Sequence, residues 1–234
     1  MKTIFLIPPS EGKNTIGEQK ESEKLSFVFE KPLEISKNAT EKDLKCKDKR
    51  FEEAIFLNKN IENSKVLESI KRYTGVMFSA IDYENMTEKG KNFFDENFFI
   101  LSGMYGILKP KDNIGNYKLP ISTKGLYDFW GNKIFEKILE LNPENIVNLL
   151  PKDYEKVLNL KKNKKILSQK NIKFININFL KSDGKKISHG VKVIKGKFIK
   201  EICEKNISDF EKFSLEIKKI DEVFVDVNIF AENG

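Results

Sequence analysis

At 234 residues, with 39% hydrophobic content and 19 Phe, the chain has enough apolar material for a packed core and falls outside the disordered and fibrous classes. A mean hydropathy of -0.46 and the lack of an apolar run near membrane length exclude a spanning helix. Two cysteines far apart, Cys46 and Cys203, support neither a disulfide framework nor a zinc site. The formal charge of +7 is unevenly spread: residues 159–205 hold 14 Lys against 3 acidic residues, and the remainder holds 28 basic and 32 acidic ones.

One basic region on a mildly acidic body is the footprint of a phosphate-bearing partner, or else a solvated lysine face. In chain order, TIFLI (3–7) is apolar and β-branched, and Pro8-Pro9 stops it. A buried first strand is predicted there, opening at its carboxyl end into Ser10-Glu11-Gly12-Lys13. The apolar run is too short for a leader peptide, so a cytoplasmic protein is expected. Residues 14–38 are polar and weakly patterned, and a long loop with a short strand at SFVF (26–29) is expected. Thr40 caps a predicted helix over 41–58, Ser64 starts one over 65–73, and Thr87 starts a third through about Glu96.

FFIL (98–101) is a second buried strand. From Gly125 onward, Leu126, Trp130, Ile134, Ile138 and Leu141 recur at steps of four and three, the stripe of one helix. NIVNLL (145–150), ended by Pro151, is a third strand, and KDYEKVL (152–158) a short helix. NIKFININFL (171–180) alternates, and a turn at Ser182-Asp183-Gly184 predicts a hairpin over 171–194. A helix over 196–206, the segment SDFEKF (208–213) and a last strand over 222–230 complete the chain. Strands alternating with helices predict an α/β fold, one domain over 1–234 with a mixed β-sheet flanked by helices.

Three stretches carry candidate chemistry. Ser10-Glu11-Gly12-Lys13 lies just past a strand's carboxyl end, where sites of open α/β sheets collect. It is not a phosphate-binding P-loop, because Ile7 stands where the first glycine belongs and Asn14 where Ser or Thr belongs. Nor do the companions of a β-lactamase Ser-x-x-Lys pair accompany it. The second stretch brings Ser102, Tyr105 and Lys109 to the end of FFIL, with Gly103 and Gly106 permitting close backbone approach. Tyr117, Lys118 and Asp128 beside Trp130 follow downstream, although Tyr and Trp are commonly core residues. The third is Lys192, Lys195 and Lys197 around a predicted helix start, a phosphate-binding arrangement. His189 is the only histidine, so no His-rich metal site forms, and with no Glu-x-x-His pair neither iron storage nor any metal or cofactor is expected.

In order and texture, PPSEGK, LSGMYGILKPKDNIGNYKLPI, LYDFWGNKI, NLLPKDYEKVL and KKISHGVKVIKGKF resemble the YaaA family of peroxide-stress-response proteins over nearly the whole chain. The resemblance implies a cytoplasmic α/β protein with a positively charged cleft, which limits peroxide damage by lowering unincorporated iron and binds DNA through a helix-hairpin-helix element. It also implies ligand-binding roles for Ser10, Lys13, Ser102, Gly103, Tyr105, Gly106, Lys109, Tyr117, Lys118, Trp130, Lys192, Lys195 and Gly196, to which Asp128 is added for its place beside Trp130. Lysine replaces the family's usual arginine at 109, 118 and 195, which keeps charge and loses bidentate geometry. No hydrophobic-Gly-hydrophobic-Gly hairpin stands between predicted helices.

Two functions are therefore expected. The first is a monomeric, DNA-binding peroxide stress protein, with Tyr105 and Tyr117 stacking on bases. The second is an enzyme acting on a nucleotide-like or other phosphorylated small molecule in the same cleft, with Tyr105 or Asp128 as acid or base.

Overall fold

Every residue of β1 (Thr3–Ile7) is buried, as a central strand covered on both faces requires. The computed structural model describes residues 2–18, 29–181, 183–187, 190–207 and 216–230. The predicted strand at SFVF lies outside these except for Phe29, as do His189 and the segment 208–213.

The expected loop over 14–38 contains a helix instead, α1 (Glu30–Lys37), with Pro32 tolerated in its first turn and Leu33 buried. Thr40 caps as expected, in a reciprocal capping box with Asp43. The helix it starts is short: α2 (Glu41–Leu44) ends at Lys45 in a left-handed conformation, and α3 (Asp48–Lys59) begins anew. The helix expected from Ser64 is replaced by β2 (Leu67–Glu68) and the single turn α4 (Ser69–Arg72). Pairing of β2 with a distant strand outweighs local helix preference there. α5 (Val76–Ile81) follows Gly75, and α6 (Glu88–Asn97) starts at Thr87, whose hydroxyl accepts from the Gly90 N–H.

β3 (Phe98–Ser102) turns at Gly106, φ +78°, into β4 (Gly106–Leu108), and β5 (Asn113–Ile114) pairs antiparallel with β2. The single helix predicted from Gly125 is two, α7 (Leu126–Trp130) and α8 (Lys133–Glu140), broken at Gly131 with φ +36°. Leu126, Trp130, Ile134 and Ile138 nevertheless all face the core. β6 (Asn145–Asn148), α9 (Lys152–Glu155), α10 (Leu160–Gln169) and β7 (Lys173–Leu180) come next.

The predicted hairpin over 171–194 does not form beyond one antiparallel bridge, Leu180 to Lys186. α11 (Val191–Lys205) already begins at Val191, because Val191, Ile194, Phe198 and Ile202 continue a helical stripe. Lys192 and Lys195 thus lie within that helix rather than ahead of it. β8 (Glu216–Lys219) and β9 (Phe224–Phe230) close the chain. No described helix is long and apolar enough to cross a membrane.

The main sheet is mixed and seven-stranded, ordered β4-β3-β1-β6-β7-β9-β8. The inner five strands are parallel, and β4 and β8 join the edges antiparallel. One face carries Phe5, Phe98 and Phe179, against which Phe93 and Phe94 of α6 and Phe198 of α11 pack. α9 and α10 lie over the other face: Glu155 accepts from Asn148, and the Lys164 ammonium sits over the Phe224 ring. From β1 the chain runs to β3 on one side, and from β6 to β7 on the other. The carboxyl ends of β1 and β6 therefore flank the topological switch point, where an open α/β sheet leaves a crevice.

Candidate functional site at the β1–β6 switch point

The segment after β1 is held by a small set of backbone and side-chain bonds. Asn14 N–H donates to the Arg72 carbonyl at 2.8 Å, and Thr74 N–H to the Gly12 carbonyl at 3.0 Å, making an antiparallel bridge between Lys13 and Tyr73. Ser10 Oγ donates to the Gly12 carbonyl at 2.6 Å and accepts from the Gly75 N–H at 3.1 Å. Gly75 must lack a side chain, since a Cβ there would lie 2.7 Å from Ser10 Cβ. Arg72 is buried and, among the described residues, has no carboxylate partner. It donates instead to the carbonyls of Asn14, Ile16 at 2.8 Å, Lys65 at 2.8 Å and Ile114 at 3.3 Å.

Beneath this segment runs a chain of hydroxyls. Ser102 Oγ accepts from the N–H groups of Met104 (3.2 Å) and Tyr105 (3.1 Å), so its own proton goes to Tyr117 Oη at 2.6 Å. Tyr117 Oη then donates to Tyr73 Oη at 2.7 Å. Burial holds both phenols above their ordinary values, so they stay protonated.

Lys13 caps this aromatic floor. Its Nζ lies 4.4 Å from the Tyr117 ring centroid and 5.5 Å from that of Tyr73, and it donates to the Ser10 carbonyl at 3.1 Å. The residue as a whole is half-buried, with its amine at the deep end. Desolvation, reinforced by the neighbouring Lys118 charge, lowers its pKa to about 7, against the pull of Glu11 and of the ring faces toward the charged form.

Lys13 opens onto a pocket of about 150 Å³, also lined by Ser10, Lys45, Lys118, Asp153 and Tyr154. A wider space of about 590 Å³ shares Glu11, Lys13, Lys45, Tyr117 and Lys118 and adds Lys47 and Arg50. Two of the pocket lysines are ion-paired, Lys45 with Asp153 at 3.5 Å and Lys118 with Glu11 at 3.8 Å. Among the described residues Lys13 meets no carboxylate at that range. Lys195 reaches the β6 side of the crevice, donating to the Leu149 carbonyl at 2.5 Å, and burial lowers its pKa to about 8.

Of the residues singled out in the sequence, Ser10, Lys13, Tyr117 and Lys118 come together in the pocket, and Ser102 supports them from below. Tyr105 does not reach it: the side chain is 2% exposed, accepts from the Gly115 N–H and packs edge-on against Phe29 and Tyr117, so no face is open for a base. Tyr117 is likewise 3% exposed, with Lys13 over its ring. Trp130 is buried and donates Nε1–H to the Gly103 carbonyl at 3.0 Å. A Cβ on Gly103 would collide with the Leu119 carbonyl, so that glycine lets the segment after β5 that carries Tyr117 lie against the end of β3.

Gly196 serves helix packing: a Cβ there would lie 2.5 Å from the Met77 carbonyl of α5. Lys109 sits in an exposed turn whose carbonyl anchors Ser69 Oγ at 2.8 Å, while Asp128 and Lys192 are exposed and line neither space. Tyr73, Lys45, Asp153 and Tyr154 belong to the site and were not singled out. Tyr154, just past the end of β6, carries the same strand-end signal that pointed to Ser10.

A family model described as peroxide stress protein YaaA matches residues 3–221. A UPF0246 protein of Fusobacterium nucleatum is 30% identical over 229 residues, which is 91% of this chain and 89% of that protein. A UPF0246 protein of Finegoldia magna is 33% identical over 139 residues, 58% of this chain and 54% of that protein. One of Clostridioides difficile is 35% identical over 126 residues, 49% of this chain and 51% of that protein. The chain thus spans about half the length of the last two relatives and nearly all of the first.

Proposed function

The chain belongs to the YaaA family of peroxide stress proteins, and we propose that it serves peroxide defence by binding a phosphate-bearing, nucleotide-like ligand in the β1–β6 crevice. The observation that carries this reading is the convergence of Lys13, Lys45 and Lys118 on one pocket at the switch point. Lys45 and Lys118 pair with exposed carboxylates, which an incoming phosphate displaces. A pocket of about 150 Å³ opening into about 590 Å³ suits a single phosphorylated molecule better than a duplex. On this reading the protein acts in the cytoplasm as a monomer and limits iron-dependent damage.

One observation favours DNA as the ligand's source. On the far side of α9, Lys152, Lys156, Lys161 and Lys162 line a shallow groove of about 600 Å³, able to follow a phosphate backbone. Thermal shift with mononucleotides and fluorescence anisotropy with short oligonucleotides separate the two. The small-molecule reading expects a melting shift that Lys45→Ala with Lys118→Ala abolishes. Oligonucleotide binding that falls steeply with salt and needs Lys161 and Lys162, with no nucleotide shift, favours DNA instead. The absence of both responses defeats the proposal.

A further inference from the structure

We infer that Lys13 is a nucleophilic amine that condenses with the carbonyl group of a phosphorylated aldehyde or ketone bound in the β1–β6 crevice; the inference rests on the phosphate-binding reading above.

The three pocket lysines are built differently. Lys45 and Lys118 each reach a carboxylate, at 3.5 and 3.8 Å. Lys13 meets backbone carbonyls and two tyrosine faces, and the like charge of Lys118 acts on it more strongly than the opposing carboxylate of Glu11. Desolvation together with an adjacent cation is how a lysine is held as a free amine near neutrality. The antiparallel bridge to Tyr73 fixes the main chain of Lys13, and the Ser10 carbonyl and the Tyr117 ring position its amine at the pocket. Lys118 and Lys45 remain to hold the phosphate while the carbonyl lies over Lys13.

The chemistry closes without an oxidant or reductant. The Nζ lone pair attacks the carbonyl carbon as the C=O π pair moves onto oxygen. The nitrogen then loses two protons and the oxygen gains two, and water leaves as the C=N bond forms. The hydroxyl chain from Ser102 through Tyr117 ends at Tyr73 beside the amine, and Tyr154 stands across the pocket. Each phenol gains a proton as it gives one up, so the two protons pass from nitrogen to oxygen without leaving a phenolate against the amine.

The full-length chain is incubated at a pH of about 7 with ribose 5-phosphate and sodium cyanoborohydride, which traps an imine as a stable secondary amine, and adducts are located by intact mass and peptide mapping. The expected result is one adduct on Lys13, formed more than about tenfold faster than on any other lysine. Its rate reaches half-maximum near pH 7, well below the value of about 10 typical of an exposed lysine. Lys13→Met, which keeps the stem over the rings, removes the adduct while melting stays cooperative. Labelling spread over the surface lysines, or unchanged in Lys13→Met, overturns the inference. Thermal shift with ribose 5-phosphate alone is measured in parallel. A shift without a selective adduct overturns imine formation and leaves phosphate binding standing; neither shift nor adduct overturns both.

Discussion

The main chain of Lys13 pairs antiparallel with that of Tyr73, and this one bridge sets the amine over a tyrosine pair whose hydroxyls are joined at 2.7 Å. Removing the middle hydroxyl isolates what that chain contributes. Tyr117→Phe keeps the ring under Lys13 and strips a partner from Ser102 and Tyr73, both buried. Urea denaturation is expected to show a loss of about 1–3 kcal/mol. A change within error means the hydroxyls are not a stability element.

Arg72 is a second fulcrum. Lysine in its place keeps the charge and cannot fork to four carbonyls. Arg72→Lys is expected to cost roughly 2–4 kcal/mol of folding stability. Nucleotide binding weakens with it, because the Ser10–Asn14 wall loses its anchor. Wild-type stability in chemical denaturation argues that water replaces the guanidinium without penalty.

At Gly196 the constraint is steric. Gly196→Ala drives a methyl against the Met77 carbonyl and the Ala80 Cβ, and α11 must move away from α5. A loss of about 1–3 kcal/mol is expected. The nucleotide affinity of the protein that remains folded stays unchanged, since neither Met77 nor Ala80 lines the pocket. A selective loss of affinity at full stability assigns the glycine to the site after all.

The lowered lysines give the fold a signed pH dependence. Between about 7 and about 10 the unfolded chain keeps a proton on Lys13 that the folded chain has released. The burial cost of Lys13 is therefore full below pH 7 and fades as pH rises through that window, with Lys195 adding the same trend from about 8. Stability of the wild type relative to Lys13→Met should climb between pH 7 and about 9, before the tyrosines begin to ionise in the unfolded chain. A flat difference sinks the claim that Lys13 is held neutral.

Much of this fold was legible in the sequence where local signals and burial agree. β1, β3 and β6 were readable as short apolar runs, and Thr40 and Thr87 as caps. Misreadings arose where distant partners decide. Residues 65–73 carry helical composition, yet pairing of Leu67 with Ile114 makes a strand of their start. α11 was started late because Gly196 reads as a boundary, whereas its lack of a side chain is what lets two helices touch. The site was half legible for the same reason. Ser10 and Lys13 follow a strand end and announce themselves, while Lys45 enters through a left-handed residue between two helices that no spacing rule marks. Tyr105 and Trp130, polar-tipped and prominent in the central motif, turn inward and shape the site through Gly103 and Gly115.

The guanidinium of Arg72 has a mechanical consequence. It ties the wall of the crevice, at Asn14 and Ile16, to the small sheet at Lys65 and Ile114. Any ligand that stiffens the Ser10–Lys13 wall also damps the breathing of β2 and β5. Amide hydrogen exchange should record occupancy of the pocket at Val66, whose N–H donates to Glu18 on the strip continuing from that wall. The far side of a protein fastened at one cation thus becomes a gauge of what its crevice holds.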